Sequence, residues 1–228
     1  MLLSPLVPLI TNVAVFYFIA NIPQIQSMGL AAYVVFMFSG LLPFRIIQKA
    51  AAESCDLLVG NMDMLKTAVF PLPFLSLSAV GALLLEFLVQ CVFMAAILVI
   101  AGTAPGWTII LLPLALVVLF ALALGLSWAL SILNYALRDL QEIVSLLFSM
   151  LVYVTPIMYP PEAAPAVLRV LMYLNPLTSY VAMFRDMILP NQQFHTQAWI
   201  ISCTTSAALL AIGYLGVRKA QRFVGDMV

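Results

Sequence analysis

The sequence predicts an all-α integral membrane protein with six transmembrane helices per protomer and short re-entrant or interfacial helices between spans five and six. Of its 228 residues, 65% are hydrophobic and only 8% are charged, and the mean hydropathy is +1.15. So few polar side chains cannot cover a soluble globule of this size. The apolar runs are unbroken and do not alternate with polar residues, which indicates spanning helices and not barrel strands.

Six apolar runs are long enough to cross the hydrocarbon core, which takes roughly 20 helical residues. They are Leu2–Ala20, Gly29–Ile47, Leu72–Ile100, Thr108–Leu133, Ile143–Tyr159 and Ala198–Val217. The third run is too long to stand upright, so we expect it to tilt or to begin in the interface. The first run lacks a preceding positive segment and a following small-residue cleavage site, which favours a retained span over a signal peptide.

Lys and Arg residues are distributed unevenly between the two sets of loops. One side of the predicted membrane holds seven of them and the other side holds only Arg169 and Arg185. The seven are Arg45, Lys49, Lys66, Arg138, Arg218, Lys219 and Arg222. Because positive residues are retained in cytoplasmic loops, both termini are predicted to be cytoplasmic.

The longest predicted cytoplasmic connection is Gln48–Pro71. Its pattern predicts an amphipathic helix with one apolar side, formed by Leu57, Leu58, Met62, Leu65 and Val69. Such a helix lies on the membrane or fits a groove on a partner, and the sequence leaves both open. The stretch Gly60–Thr67 superficially resembles a phosphate-binding loop, but Leu65 replaces the second glycine and no strand precedes it. We therefore expect no nucleotide site here.

The predicted outer segment, Pro160–Pro190, is interrupted by several prolines and carries charges. Because proline ends or prevents helices, we expect two short helices that lie at the membrane surface or dip into it. In the fourth span, Ala121, Gly125 and Ala129 recur every four residues. This spacing is typical of a face that allows close helix packing, although small residues are abundant in such spans in any case.

The fifth span carries a polar and aromatic stripe at the helical repeat. The stripe comprises Glu142, Ser145, Ser149, Tyr153 and Pro156, with Phe148, Thr155 and Tyr159 beside it. Aromatic faces stack on the CH groups of pyranose rings and hydroxyls exchange hydrogen bonds with sugars, so the stripe suits the wall of a path for glycans. A contact between helices explains the serines equally well.

The remaining polar residues of the spans indicate no catalytic chemistry. Glu86, with Gln90 one turn on, is expected to face a neighbouring helix or water because a carboxylate is costly in the hydrocarbon. It is either a pathway acid or a neutral acid bonded to another helix. His195 is expected to be an isolated interface histidine, and Cys55, Cys91 and Cys203 are expected to be packing thiols. The zero net charge provides no basic field for nucleic acid.

Several short motifs, in this order and spacing, resemble the permease subunits of type-2 ATP-binding-cassette exporters. The resemblance covers about Leu65 to Phe223 and is strongest to the branch that exports lipid-linked polysaccharides such as O-antigen, capsule and teichoic acid. The motifs are Lys66 with Phe70-Pro71, Arg138-Asp139, Pro156-Ile157-Met158-Tyr159, Asn175-Pro176-Leu177 and Arg185. Members of this family carry an amphipathic cytoplasmic helix before the first span, whereas this sequence begins almost directly in that span.

The resemblance implies a single type-2 transmembrane domain over residues 1–228 and a homodimer in the bacterial inner membrane. It implies a channel between protomers for a lipid-linked glycan, such as the O-antigen of lipopolysaccharide, and separate cytoplasmic ATPase subunits that bind the ATP. The protein itself would need no cofactor, metal or catalytic residue. The expected residues are Ser145, Phe148, Ser149, Tyr153 and Tyr159 in the substrate pathway, Asp56, Asp63 and Lys66 in ATPase coupling (about residues 48–71), and Tyr173, Asn175 and Arg185 in an external gate (about residues 160–190).

Three other functions are compatible with the composition. One is a drug or lipid exporter of the same architecture, which a wider apolar pathway without the aromatic stripe would favour. Another is a membrane enzyme acting on polyprenyl-linked sugars, which would require a larger charged cluster than Arg138, Asp139 and Glu142. The last is a purely structural membrane subunit.

Overall fold

The computed structural model describes residues 6–20, 22–61, 72–137, 139–189 and 194–225. Within these ranges every regular element is a helix, which confirms the predicted all-α class. Several residues singled out in the sequence lie outside the described residues, namely Met62, Asp63, Leu65, Lys66, Val69, Phe70, Pro71 and Arg138.

The first helical region is short and is followed by a long helix. Helix α1 (Leu6–Val13) continues as a π-helix over Ala14–Ile19, and a single turn, α2 (Pro23–Gln26), comes next. Gly29 then adopts φ +78°, a left-handed conformation that glycine tolerates best, directly before α3 (Leu30–Gly60).

Helix α3 is longer than the sequence predicted. The predicted span ended at Ile47 and a separate cytoplasmic connection began at Gln48, whereas the structure continues one helix to Gly60 through an internal proline, Pro43. Residues 48–60 are rich in alanine and leucine and contain no proline, so nothing in them ends a helix. At ~1.5 Å per residue, a helix of this length reaches well beyond the ~30 Å hydrocarbon core.

The next two helices follow the predicted spans closely. Helix α4 (Leu72–Ala101) has 30 residues and ends at Gly102, whose φ is +64°. A 3₁₀ turn over Trp107–Leu111 leads into α5 (Leu112–Ala136). The predicted third and fourth spans are therefore present as helices with nearly the expected bounds.

The predicted fifth span is shorter in the structure. Helix α6 (Leu140–Val154) has 15 residues and ends before Tyr159, because Pro156 disfavours helical backbone at the residue that precedes it. A 3₁₀ turn over Pro161–Ala163 follows, then α7 (Ala166–Leu174), α8 (Pro176–Ile188) and α9 (Thr196–Gly225).

Helices α7 and α8 are the two short helices expected in the outer segment, and they meet at an angle of 84°. Among the described residues, four helices are long and apolar enough to cross a membrane, or five if this bent pair forms one broken span. The four lie at Leu30–Leu58, Pro73–Ala101, Trp107–Asn134 and Thr196–Lys219. The protein is thus a multi-pass membrane protein by length and composition, and the count of six spans is not confirmed.

The chain forms two compact units, each built from parts of several helices. The first unit comprises Met1–Arg45, Glu86–Leu116 and Met150–Ser202. Its interior contains fully buried aromatic side chains, and the rings of Phe87 and Phe184 meet edge to face with centroids 5.6 Å apart.

The second unit comprises Ile46–Leu85, Val117–Ser149 and Cys203–Val228. Its core contains small and aliphatic side chains from three helices, namely Ala50, Val80, Leu83, Ala123 and Leu124. Gly125 of α5 lies against the backbone of α9, where an added Cβ would be 2.5 Å from the Leu210 nitrogen.

Candidate functional site

A partly exposed aromatic cluster lies in the first unit, where α6 ends. The Tyr159 hydroxyl donates a hydrogen bond to the Tyr153 carbonyl over 2.6 Å. The Tyr159 ring stacks on Phe16 of the π-helical segment, with centroids 6.2 Å apart. The Tyr153 side chain is 55% exposed. Two of the predicted pathway residues, Tyr153 and Tyr159, are therefore neighbours, and Phe16 joins them.

The predicted pathway residues on α6 do not all lie on the same face of the helix. Ser145, Ser149 and Tyr153 are exposed, and the Ser149 hydroxyl bonds to the Ser145 carbonyl at 2.8 Å. Phe148, in contrast, is only 8% exposed and lies on the buried face with Leu140 and Val144. Successive residues of a helix are rotated by about 100°, so Phe148 lies on a different face from the exposed Ser149 and Tyr153. The sequence pattern predicted Phe148 beside the stripe that these residues form.

Arg185 of α8, a predicted gate residue, is buried and contacts α3. Its Nη2 donates to the carbonyls of Ile157 at 3.2 Å and Phe36 at 3.4 Å. The guanidinium carbon lies 3.6 Å from the centroid of the Phe36 ring, a cation–π contact. Gly40 leaves the space that this side chain needs, because a Cβ there would be 3.1 Å from Nη2.

The buried carboxylate of Asp186 joins the end of α8 to the start of α9. It accepts hydrogen bonds from the His195 backbone nitrogen at 2.9 Å and the Trp199 Nε1 at 3.2 Å. The Nδ1 of His195 lies 2.6 Å from the second carboxylate oxygen, although half of the His195 side chain is exposed. Three contacts on one carboxylate hold this junction together. The Thr108 hydroxyl donates to the Asp186 carbonyl, which adds the turn before α5.

His195 is thus not the isolated histidine that the sequence predicted. Its partner, Asp186, is nine residues earlier and lies in α8. Both residues are polar and were recognisable in the sequence. Their contact was not, because neither the helical nor the strand repeat relates two residues that are nine positions apart and do not share one element.

Asn175 caps α8, which explains the bend between the two short helices. Its side-chain oxygen accepts from the Leu177 nitrogen at 3.0 Å, and Pro176 occupies the first helical position. The Asn175 amide also donates to the Thr155 hydroxyl at 2.9 Å. Tyr173, the other predicted gate residue, lies on α7 and is 70% exposed. Of the three predicted gate residues, Tyr173 therefore lies on α7, Arg185 lies on α8 and Asn175 lies at the junction between these helices. Asn175 and Arg185 bond to different residues.

The described part of the predicted coupling segment is residues 48–61, which form the C-terminal part of α3 and the residue after it. Asp56 is exposed there, while Ser54 and Cys55 on another face are buried. The Asn134 amide of α5 donates to the Cys55 carbonyl at 2.7 Å, so this portion of α3 packs against another helix of the second unit. Leu57 and Leu58, expected on the apolar side of an amphipathic helix, are half-buried.

Glu86 of α4 interacts electrostatically with Arg45 of α3. The sequence alone paired Glu86 with no particular residue. Among the described residues, no group of three or more His, Cys, Asp or Glu side chains is suited to hold a metal ion.

The chain is similar in sequence to known proteins. The chain is 29% identical to an O-antigen export system permease protein RfbA of Klebsiella pneumoniae, over 77% of this chain and 67% of that protein. It is 28% identical to the protein of the same name from Myxococcus xanthus, over 74% of this chain and 67% of that protein. The profile of the ABC-2 type transporter family matches residues 1–189, which is most of the sequence. The chain therefore belongs to the ABC-2 type transporter family.

Proposed function

We propose that this chain is the membrane-spanning subunit of an ATP-driven exporter that moves a lipid-linked polysaccharide of the O-antigen type outward across the bacterial inner membrane. Family membership supports a transport role, and the names of the relatives support a polysaccharide. The structural observation that carries the proposal is the aromatic cluster at the end of α6, formed by the exposed Tyr153 and the partly buried Tyr159 and Phe16. Ser145 and Ser149 are exposed on the same helix.

This surface has the chemistry of a sugar path. The face of an exposed tyrosine ring stacks on the CH groups of a pyranose, while serine hydroxyls donate and accept hydrogen bonds. Each such contact is weak, which suits a conduit that must release one sugar unit as it holds the next. A path for drugs or free lipids would present more aliphatic surface and fewer hydroxyls.

The complete transporter is proposed to contain two copies of this chain and two cytoplasmic ATPase subunits. In this arrangement each copy crosses the membrane six times with both termini in the cytoplasm, and α7 and α8 dip into the outer surface as a gate. The exposed Asp56 at the end of α3 supports a docking role for the segment at about residues 48–71. Asp63 and Lys66 of that segment are proposed to contribute to the same docking surface.

Substitution of Tyr153 tests the proposed path. Tyr153→Ala removes the exposed ring, so we expect export to fall about fivefold with unchanged protein level, because stacking of a sugar on an aromatic ring is on the order of 1 kcal/mol. Tyr153→Phe keeps the ring and should retain most of the export. The measurement is the amount of surface polysaccharide in cells that depend on this permease and its ATPase partner.

Leu147→Ala provides the matched control on the same helix. Leu147 is also exposed but lies about 120° away from Tyr153 around the helix. Equal loss of export with Leu147→Ala and Tyr153→Ala would contradict a path on the tyrosine side. Export of a hydrophobic dye in place of polysaccharide would favour a drug exporter.

A further inference from the structure

Two arginines lie on the short helices α7 and α8, and their contacts differ in reach. Within the described residues, Arg169 bonds to carbonyls of the turn just before its own helix, those of Pro161, Glu162 and Ala164, at 3.1 to 3.2 Å. Arg185 instead bonds to Ile157 and to Phe36, which is 149 residues away on α3. One arginine therefore braces its own segment, while the other joins α8 to a long apolar helix.

The Arg185 side chain has few alternatives to this position. A guanidinium does not lose its proton in proteins, so a positive charge is buried here and must be stabilised by its neighbours. The neighbours are two carbonyl oxygens and the electron-rich face of Phe36, with further electrostatic effects from Glu162 and Tyr33. If α8 moved away from α3, the charge would lose the carbonyl and the ring of Phe36 together.

Gly40 and Phe36 fit this role geometrically. They lie four residues apart on α3 and therefore on the same face, one above the other. Phe36 supplies both a carbonyl and a ring, and the missing side chain of Gly40 leaves room for Nη2. A Cβ on Gly40 would also lie 3.3 Å from the Ile157 Cα and 3.3 Å from Val181 of α8, so no large side chain fits.

We propose that Arg185 links α8 to α3 and that Phe36 and Gly40 are the residues that position its guanidinium, so that α8 moves either together with α3 or only after this link breaks. We call these contacts the Arg185 link. Its consequence, that the link keeps the outer end of the pathway closed at rest, rests on the proposed function. The link itself does not.

Hydrogen exchange of the purified protein in lipid nanodiscs tests the link directly. Arg185→Met should speed amide exchange across Pro176–Ile188 by about tenfold, because it removes the charged hydrogen bonds and the ring contact that hold the helix. Arg185→Lys should behave almost like Arg185→Met, since an ammonium cannot stack flat on a ring while bonding two carbonyls. Phe36→Tyr keeps the ring and should match the unmodified protein.

Two further variants separate the link from general loss of folding. Arg169→Met is the matched control, and it should speed exchange only within Ala166–Leu174. Gly40→Ala leaves Arg185 in place but crowds its Nη2, and it should reproduce the effect of Arg185→Lys. Normal exchange in Arg185→Lys, or equal loosening of α8 by Arg169→Met, would overturn the proposal.

Leakage of carboxyfluorescein from proteoliposomes tests the gating consequence. Arg185→Met and Gly40→Ala should leak several times faster than the unmodified protein, while Phe36→Tyr and Arg169→Met should not. Faster exchange of α8 without faster leakage would contradict the gating role and leave the link supported. Failure of the unmodified protein to export polysaccharide would count against the proposed function, because the exchange result does not depend on export.

Discussion

Individual polar residues were recognisable in the sequence, but their partners were not. Asn175 and Arg185 were recognisable because they belong to the motifs that resemble those of type-2 exporter permeases. Their contacts, Thr155 and Phe36, are 20 and 149 residues away. A local pattern has no information on contacts at such separations, which depend on how the helices pack.

Asn175 offers a direct test of one such contact. Asn175→Ala removes both the cap of α8 and the bond to Thr155, so we expect it to lower the free energy of unfolding by roughly 2 kcal/mol. Asn175→Asp keeps the accepting oxygen and loses only the donated bond, and should cost about half as much. The measurement is SDS titration of the purified protein in mixed micelles, followed by circular dichroism.

A double-mutant cycle with Thr155→Val isolates the bond between the two side chains. The coupling energy should be about 1 kcal/mol, the usual net value of one hydrogen bond. Strictly additive effects of the two substitutions would contradict a bond between them. Thr155→Ser keeps the hydroxyl and serves as the control.

At the scale of helices, the sequence predicted where the apolar helices lie better than where each helix ends and which helix it packs against. The apolar runs predicted α4 to within one residue at each end and α5 to within four residues. The end of α3 was misplaced because the decrease in hydropathy at Gln48 was read as an end of the helix, although backbone hydrogen bonding continues wherever good helix formers follow. The small-residue spacing around Gly125 correctly indicated close packing, but only the fold identified α9 and Gly213 as its neighbours.

Two glycines of the second unit provide opposite predictions for the same substitution. Gly125→Ala places a Cβ 2.5 Å from the Leu210 nitrogen, so the backbones of α5 and α9 must separate. We expect it to destabilise the protein by about 1–3 kcal/mol. Gly81→Ala meets no atom within 4 Å and lies inside a helix, so it should stabilise by about 0.5–1 kcal/mol.

Unfolding midpoints in SDS, measured for both variants under the same conditions, test the two predictions. The informative result is the difference in sign between the two. If Gly125→Ala is as stable as the unmodified protein, α5 and α9 do not approach as closely as described.

At the scale of the whole molecule, the number of membrane crossings depends on α6. At ~1.5 Å per residue, its 15 residues span roughly 22 Å, less than the ~30 Å hydrocarbon core. The proposed six spans require that α6 crosses nevertheless, with the residues after Val154 completing the passage or with local thinning of the bilayer.

Single cysteines on either side of α6 test this crossing. In a protein with Cys55, Cys91 and Cys203 replaced, Leu137→Cys should react with an impermeant maleimide only from the cytoplasmic side. Glu162→Cys should react only from the outside, and both native residues are exposed. Labelling of both cysteines from one side would show that α6 does not cross.

The sequence by itself determined the membrane class, the helical architecture, most span positions and the family, because composition and apolar run length reflect how each segment partitions between water and lipid. The shared exposed face of α6 was also predictable in part, because Ser145, Ser149 and Tyr153 recur at the helical period. Only the tertiary structure decided that Phe148 is buried, that Phe16 adjoins Tyr159, that Asp186 holds His195 and that Arg185 meets Phe36. These contacts join residues from separate segments, so they exist only once the helices have packed.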